Sequence, residues 1–81
     1  MMAEPLRAVR QAQDRMTQMD LAVKSGVSIS TIVNIENNRQ IPSVHLARKI
    51  ADALGVSVYD IAWPTEDQLV SRRPKGETVA A

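Results

Sequence analysis

Eighty-one residues with a net charge of +1 and no cysteine make one domain with a modest core, and they exclude a disulfide framework or a thiolate metal site. The start, MMAEPLRAVR, has no apolar signal core and no run reaches transmembrane length, so a soluble, cytoplasmic chain with no membrane partner is expected. A hydrophobic share of 44% with 2% aromatics and no Phe leaves Leu, Ile, Val, Ala and Met to fill the interior, which favours packed helices and puts function on the outside.

Pro5 suits the first position of a helix, and Leu6, Val9 and Ala12 then recur at helical spacing through about Gln13. Thr17 with Asp20 fits a capping box, and Met16 and Leu21 occupy the two staple positions, so a second helix starts there. Met16 and Met19 read as staple or core fillers. Gly26 ends this helix as a left-handed cap. Only Val27 separates that glycine from Ser28, a good N-cap. A third helix therefore begins almost where the second stops, a helix-turn-helix with Val27 plugging the corner. On this third helix Ile32 and Ile35 share one side, leaving Ile29, Ser30, Val33, Asn34 and Asn37 pointing largely elsewhere.

Asn37-Asn38 can close the third helix, since Asn tolerates the left-handed conformation, and Arg39-Gln40-Ile41-Pro42 is a connector. Ser43 caps a fourth helix, whose stripe of Ala47, Ile50, Ala51 and Leu54 is the cleanest amphipathic signal in the chain, and Gly55 stops it. Ser57 and Asp60 repeat the capping-box spacing with Val56 and Ile61 as staple, which predicts a fifth short helix to about Trp63 before Pro64. From Pro64 onward there is no period. Arg72, Arg73 and Lys75 are balanced by Glu66, Asp67 and Glu77, so residues 64–81 read as a mobile, solvated tail behind a domain of residues 1–63.

Four words stand in order at consistent separations: LRAVR at Leu6 to Arg10, TQMDLAVKSGVS at Thr17 to Ser28, IVNIENNRQIPS at Ile32 to Ser43, and LARKIADALGVS at Leu46 to Ser57. With them the chain resembles the Xre/Cro-repressor (phage repressor-like) helix-turn-helix family over about residues 6 to 63. The resemblance implies an all-α, five-helix DNA-binding domain with its helix-turn-helix at helices 2 and 3. It implies that Gln18 holds a backbone phosphate and braces the recognition helix, with Thr17 beside it at a positive helix end. Ser28, Ile29, Ser30 and Asn34 match positions that reach base edges, and Thr31, Asn38 and Arg39 match places of backbone contact. Arg10 and Glu36 match a pair that forms a salt bridge behind the helix-turn-helix. The family also implies a repressor that blocks a promoter, often its own.

The chemistry of the third helix suits a reader of A·T pairs. Asn34 offers an acceptor and a donor to adenine, Ser30 can do either, and Ile29 or Val33 can lie against thymine methyl groups. No arginine on this face is placed to grip guanine. Phosphate affinity then rests on Arg15, Lys24 and Arg39. Asp14-Arg15 stand where the family commonly has a glycine, in a segment one residue longer than usual, which predicts a changed entry angle for the first helix.

A single recognition helix reads few base pairs, so the expected partner is double-stranded DNA with a pseudo-palindromic site, bound by a homodimer. Val58, Tyr59 and Trp63 are the candidate dimer interface. His45 is the sole histidine and has no nucleophile or metal cluster near it in sequence. No enzymatic activity, cofactor or metal is expected. The alternative is an antitoxin-like or adaptor protein whose main partner is another protein, docked at the Ile29/Val33 face.

Overall fold

The computed structural model describes residues 3–69. Three of its four α-helices begin where a hydroxyl side chain takes over a backbone donor that the first turn leaves unpaired. For α2, Gln18–Ser25, Thr17 Oγ1 accepts from the Asp20 N–H at 3.0 Å, and the Asp20 carboxylate accepts from the Thr17 N–H at 3.1 Å. That reciprocal pair holds the Asp20 carboxyl below the usual carboxylate range, the Thr17 N–H contributing most and its hydroxyl next. Ser28 Oγ caps α3, Ile29–Glu36, through Thr31 N–H, and Ser43 Oγ caps α4, Val44–Leu54, through Leu46 N–H. The first helix, α1, Leu6–Gln11, has no side-chain cap and instead uses Pro5, whose fixed φ of −57° leads into it.

The helix ends are equally local. Gly26 turns left-handed at φ 74° and donates its N–H to Ala22 O at 2.9 Å. Asn38 does the same work after α3 at φ 57°, with its N–H on Ile35 O and the Arg39 N–H on Asn34 O. Asn is the residue besides glycine that accepts this conformation most readily.

Between these ends one apolar cluster forms from Leu6, Leu21, Ala22, Val27, Ile32, Ile35, Ile50, Ala51, Leu54 and Ile61. Val27 is 5% exposed at the corner between α2 and α3. Burial of this kind stabilises by about 1.5–3 kcal/mol for each large aliphatic side chain, and here it fixes the angle at which α3 leaves the body. Helix α2 packs on both α3 and α4. No helix among the described residues is long and apolar enough to cross a membrane.

The expected fifth helix does not form. Its capping box is present, with Asp60 accepting from the Ser57 N–H at 2.9 Å, but it closes only a 3₁₀ turn at Val58–Asp60. Pro64 disfavours the α conformation at Trp63. Ile61–Ala62, strand β2, instead pairs in parallel with β1, Glu4–Pro5, in the register Glu4 with Ile61 and Pro5 with Ala62. The backbone groups that a helix would have satisfied are taken by the segment leading into α1, so the two ends of the domain are stitched together. Among the described residues the fold is therefore four α-helices with a 3₁₀ turn in the fifth place.

Smaller differences follow from the same local chemistry. Helix α1 stops at Gln11 because Ala12 to Arg15 form a turn in which Asp14 and Arg15 both take positive φ, 55° and 59°. Met16 packs against the core, whereas Met19 is 54% exposed and fills nothing. Past Trp63, Pro64 is buried and one further 3₁₀ turn follows at Glu66–Gln68. Arg72, Arg73, Lys75 and Glu77 lie outside the described residues.

Candidate nucleic-acid interface

Three helices meet at one carboxylate. Glu36, the last residue of α3, has a side chain with no solvent exposure. Arg10 from α1 reaches it with two donors, Nε to Oε2 at 2.6 Å and Nη2 to Oε1 at 3.0 Å, in the fork geometry that suits guanidinium and carboxylate. Gln18, first residue of α2, donates Nε2 to Oε1 at 3.0 Å. Arg7 lies 3.5 Å from Oε1 and donates to the Asn37 side-chain oxygen at 3.2 Å. The remaining arm of Arg10 donates to the Met16 carbonyl, just ahead of α2. Burial pushes the Glu36 carboxyl up, but the hydrogen bonds from Arg10 and Gln18, the Arg10 charge and Arg7 outweigh it and hold the group below the ordinary glutamate range. It is thus an anion with every partner supplied by the protein, and it ties the end of α3 to both helices behind it.

The opposite side of α3 is uncommitted. Ile32 and Ile35 are buried at 0% and 1% exposure, which turns Ser30 to solvent and leaves Asn34 half-buried. Among the described residues neither side chain has an intramolecular hydrogen bond. Val33 is half-buried beside them. Ser28 and Ile29 are more occupied: Ser28 Oγ accepts the Thr31 N–H and donates to Thr31 Oγ1 at 2.9 Å, and Ile29 packs partly on the core. Asn38 and Arg39 are exposed at the far end of α3, and Thr31 is half-buried within it. At the start of α2, Thr17 and Gln18 line a shallow open cleft together with Arg10 and Arg15.

The family model described as Helix-turn-helix matches residues 6–61. This chain belongs to the Xre-like helix-turn-helix family. Among its relatives is an uncharacterized HTH-type transcriptional regulator of Methanocaldococcus jannaschii, 46% identical over 57 residues that make up 70% of this chain and 86% of that protein. Another, an uncharacterized HTH-type transcriptional regulator of Archaeoglobus fulgidus, is 39% identical over 62 residues, 76% of this chain and 87% of that protein. The matched segment runs from the first residue of α1 into β2 and contains the whole mount around Glu36.

Within this helix-turn-helix domain, the structure brings Arg10, Gln18 and Glu36 together and keeps Ser30, Val33 and Asn34 on the outer face of α3. It does not gather Val58, Tyr59 and Trp63 into one patch of equal exposure. Tyr59 is 90% exposed, while Trp63 is half-buried against the core and donates its indole N–H to Val58 O at 2.9 Å. Sequence reasoning missed Arg7 as a member of the Glu36 cluster. The signal was present: Arg7 stands three residues before Arg10, on the same side of a helix.

Proposed function

We propose that this helix-turn-helix regulator is a dimeric repressor that reads a pseudo-palindromic operator by laying α3 in the major groove. The observation that carries the reading is the contrast on α3 itself: one side is fixed by buried isoleucines and the Glu36 mount, the other presents Ser30 and Asn34 without side-chain partners among the described residues. Asn34 makes a bidentate contact to adenine, and Ser30 reads the neighbouring edge. Val33, and the exposed part of Ile29, meet thymine methyl groups, with Ser28 at the groove entrance. A·T pairs are accordingly favoured under Asn34 and Ile29.

Phosphates are held by Thr17 and Gln18 at the positive end of α2 and by Thr31, Asn38 and Arg39 at the flank of α3. Gln18 donates one amide hydrogen to Glu36, and its second amide hydrogen remains for a phosphate. The recognition face carries no cation of its own, so one protomer binds weakly and two, held through the region of Val58, Tyr59 and Trp63, bind usefully. The test is fluorescence anisotropy with DNA from upstream of the protein's own gene and a scrambled duplex, each at two salt concentrations. Tight binding to the first alone, strengthened at low salt, supports the reading. Equal weak binding to both sinks autoregulation through that site.

A further inference from the structure

On the outer side of α4, Val44, Arg48 and Asp52 follow one another at four-residue spacing and so form a single ridge of side chains. Past the left-handed Gly55 cap, Val56 is half-buried with one side on the core and, with these residues, lines a groove that Tyr59 closes. Val44 is 76% exposed and Tyr59 90% exposed, the two most exposed large apolar side chains among the described residues. Arg48 and Asp52 are exposed as well, and neither forms an ion pair among the described residues, where the salt bridges all end on Glu36. None of these side chains belongs to the mount or to the reading face of α3.

The order along the groove is apolar, positive, negative, apolar. That order is self-complementary in one arrangement only. If a second copy lies antiparallel across a two-fold axis level with Ile50, Arg48 meets the other copy's Asp52 and Asp52 meets its Arg48. The same register brings the exposed Val44 over the end of the other copy's groove that Val56 lines. A parallel copy would instead stack like charge on like. We infer that this face is the two-fold interface between copies of this chain, with two reciprocal Arg48–Asp52 pairs flanked by valines and with Tyr59 covering the partner's groove. The inference rests on the dimeric reading proposed above and gives it a surface and a register. It moves the weight of the interface from Trp63, whose ring is engaged within its own chain, to α4.

The experiment is a charge swap read by sedimentation equilibrium of the full chain across a concentration series. Arg48→Asp and Asp52→Arg should each weaken self-association about tenfold, since each converts two attractive pairs into two repulsive ones. The double variant should regain the parent's dissociation constant. An equimolar mixture of the two single variants should also associate as tightly as the parent, because each then supplies the charge the other lacks. Circular dichroism melts of all three variants check that an exposed substitution has left the fold intact.

A parent chain that stays monomeric throughout, or single reversals that leave its dimer unchanged, overturns the interface. Binding to a duplex carrying one half-site, compared between the parent and Asn34→Ala, reports on α3 alone. Asn34-dependent half-site binding with no response to the swaps refutes the α4 surface and spares the reader. A full response to the swaps without such binding refutes the reader and spares the surface.

Discussion

Glu36 and Asn34 stand two residues apart on α3 and meet opposite conditions. Glu36 is shielded completely and takes hydrogen bonds from Arg10 and Gln18. Asn34 is half in solvent and has no side-chain partner among the described residues. A buried carboxylate without partners would cost several kcal/mol, so the cluster exists only because three helices converge on it. A surface amide without partners costs almost nothing, since water satisfies it. One end of the helix is therefore spent on position, and its outer face is left open for the proposed base contacts. Substitutions on the two sides should separate stability from binding.

The largest break in that contrast is expected from Glu36→Ala. It leaves the Arg10 guanidinium buried with only the Met16 carbonyl as partner, and such a loss costs about 3 kcal/mol. In a domain of this size that lowers the melting temperature by roughly 15 °C. A loss below about 1 kcal/mol would mean that the cluster relaxes or takes in water. The pH profile sharpens the point. Because the Glu36 pKa is depressed in the folded protein, its contribution is fully present above the unfolded glutamate value and is lost as pH falls through the folded one. Urea midpoints of the parent should fall through that acidic window more steeply than those of Glu36→Gln, which has no proton to gain. Asp20 titrates in the same direction in both proteins and cancels in the comparison.

Next in size is Asn34→Ala, which acts on the other side alone. Thermal stability should stay within about 0.5 kcal/mol of the parent. Affinity for the cognate duplex should drop about tenfold to a hundredfold, while binding to the scrambled duplex holds. Equal losses on both duplexes would assign Asn34 to a phosphate instead of a base. The proposed contact predicts that the loss disappears when the A·T pair under it is replaced.

How much of this was legible in the sequence follows the range of the interactions. Thr17 with Asp20, Ser28 before α3, Ser43 before α4 and the glycines behind α2 and α4 act within one turn, and residue order is enough to read them. The stripe of α4 is equally plain. Nothing periodic links Arg10 to Glu36, 26 residues on; that pairing is carried by the family resemblance alone, and Arg7 beside it is marked only by its three-residue spacing from Arg10. The fifth helix shows the reverse failure. Its capping box is real, yet the two-residue pairing of Ile61–Ala62 with Glu4–Pro5 has no sequence pattern and takes the backbone away from helix formation. Tertiary competition of that kind is invisible to a rule that looks only at neighbours in the chain.

The turn between α2 and α3 offers a smaller test of how the mount is aimed. A Cβ built at Gly26 meets no atom within 4 Å, so Gly26→Ala suffers only from its φ of +74°. The expected cost is about 1 kcal/mol. Because the corner is held by Val27 and the core on both sides, DNA affinity measured well below the melting temperature should change little. A large loss of affinity with a small loss of stability would show that this turn, and not the Glu36 cluster, sets the angle of α3.

The smallest effect is expected at the turn of Asp14-Arg15, behind α1. Two consecutive residues with side chains hold left-handed φ there, a conformation that costs each of them about 1 kcal/mol relative to glycine. Arg15→Gly removes that strain but also enlarges the freedom of the unfolded chain, so the net gain in stability should be about 0.5 kcal/mol. Arg15 also lines the cleft beside Thr17 and Gln18, and removing its charge should lower the salt dependence of DNA binding by about one phosphate contact. Arg15→Ala separates the two effects: it loses the same charge and keeps the strained backbone. If both variants lose salt dependence and only the glycine gains stability, the strained turn is maintained for the cation it carries into the cleft. Stability rising equally in both would remove strain from the account, and an unchanged salt dependence would remove the cation.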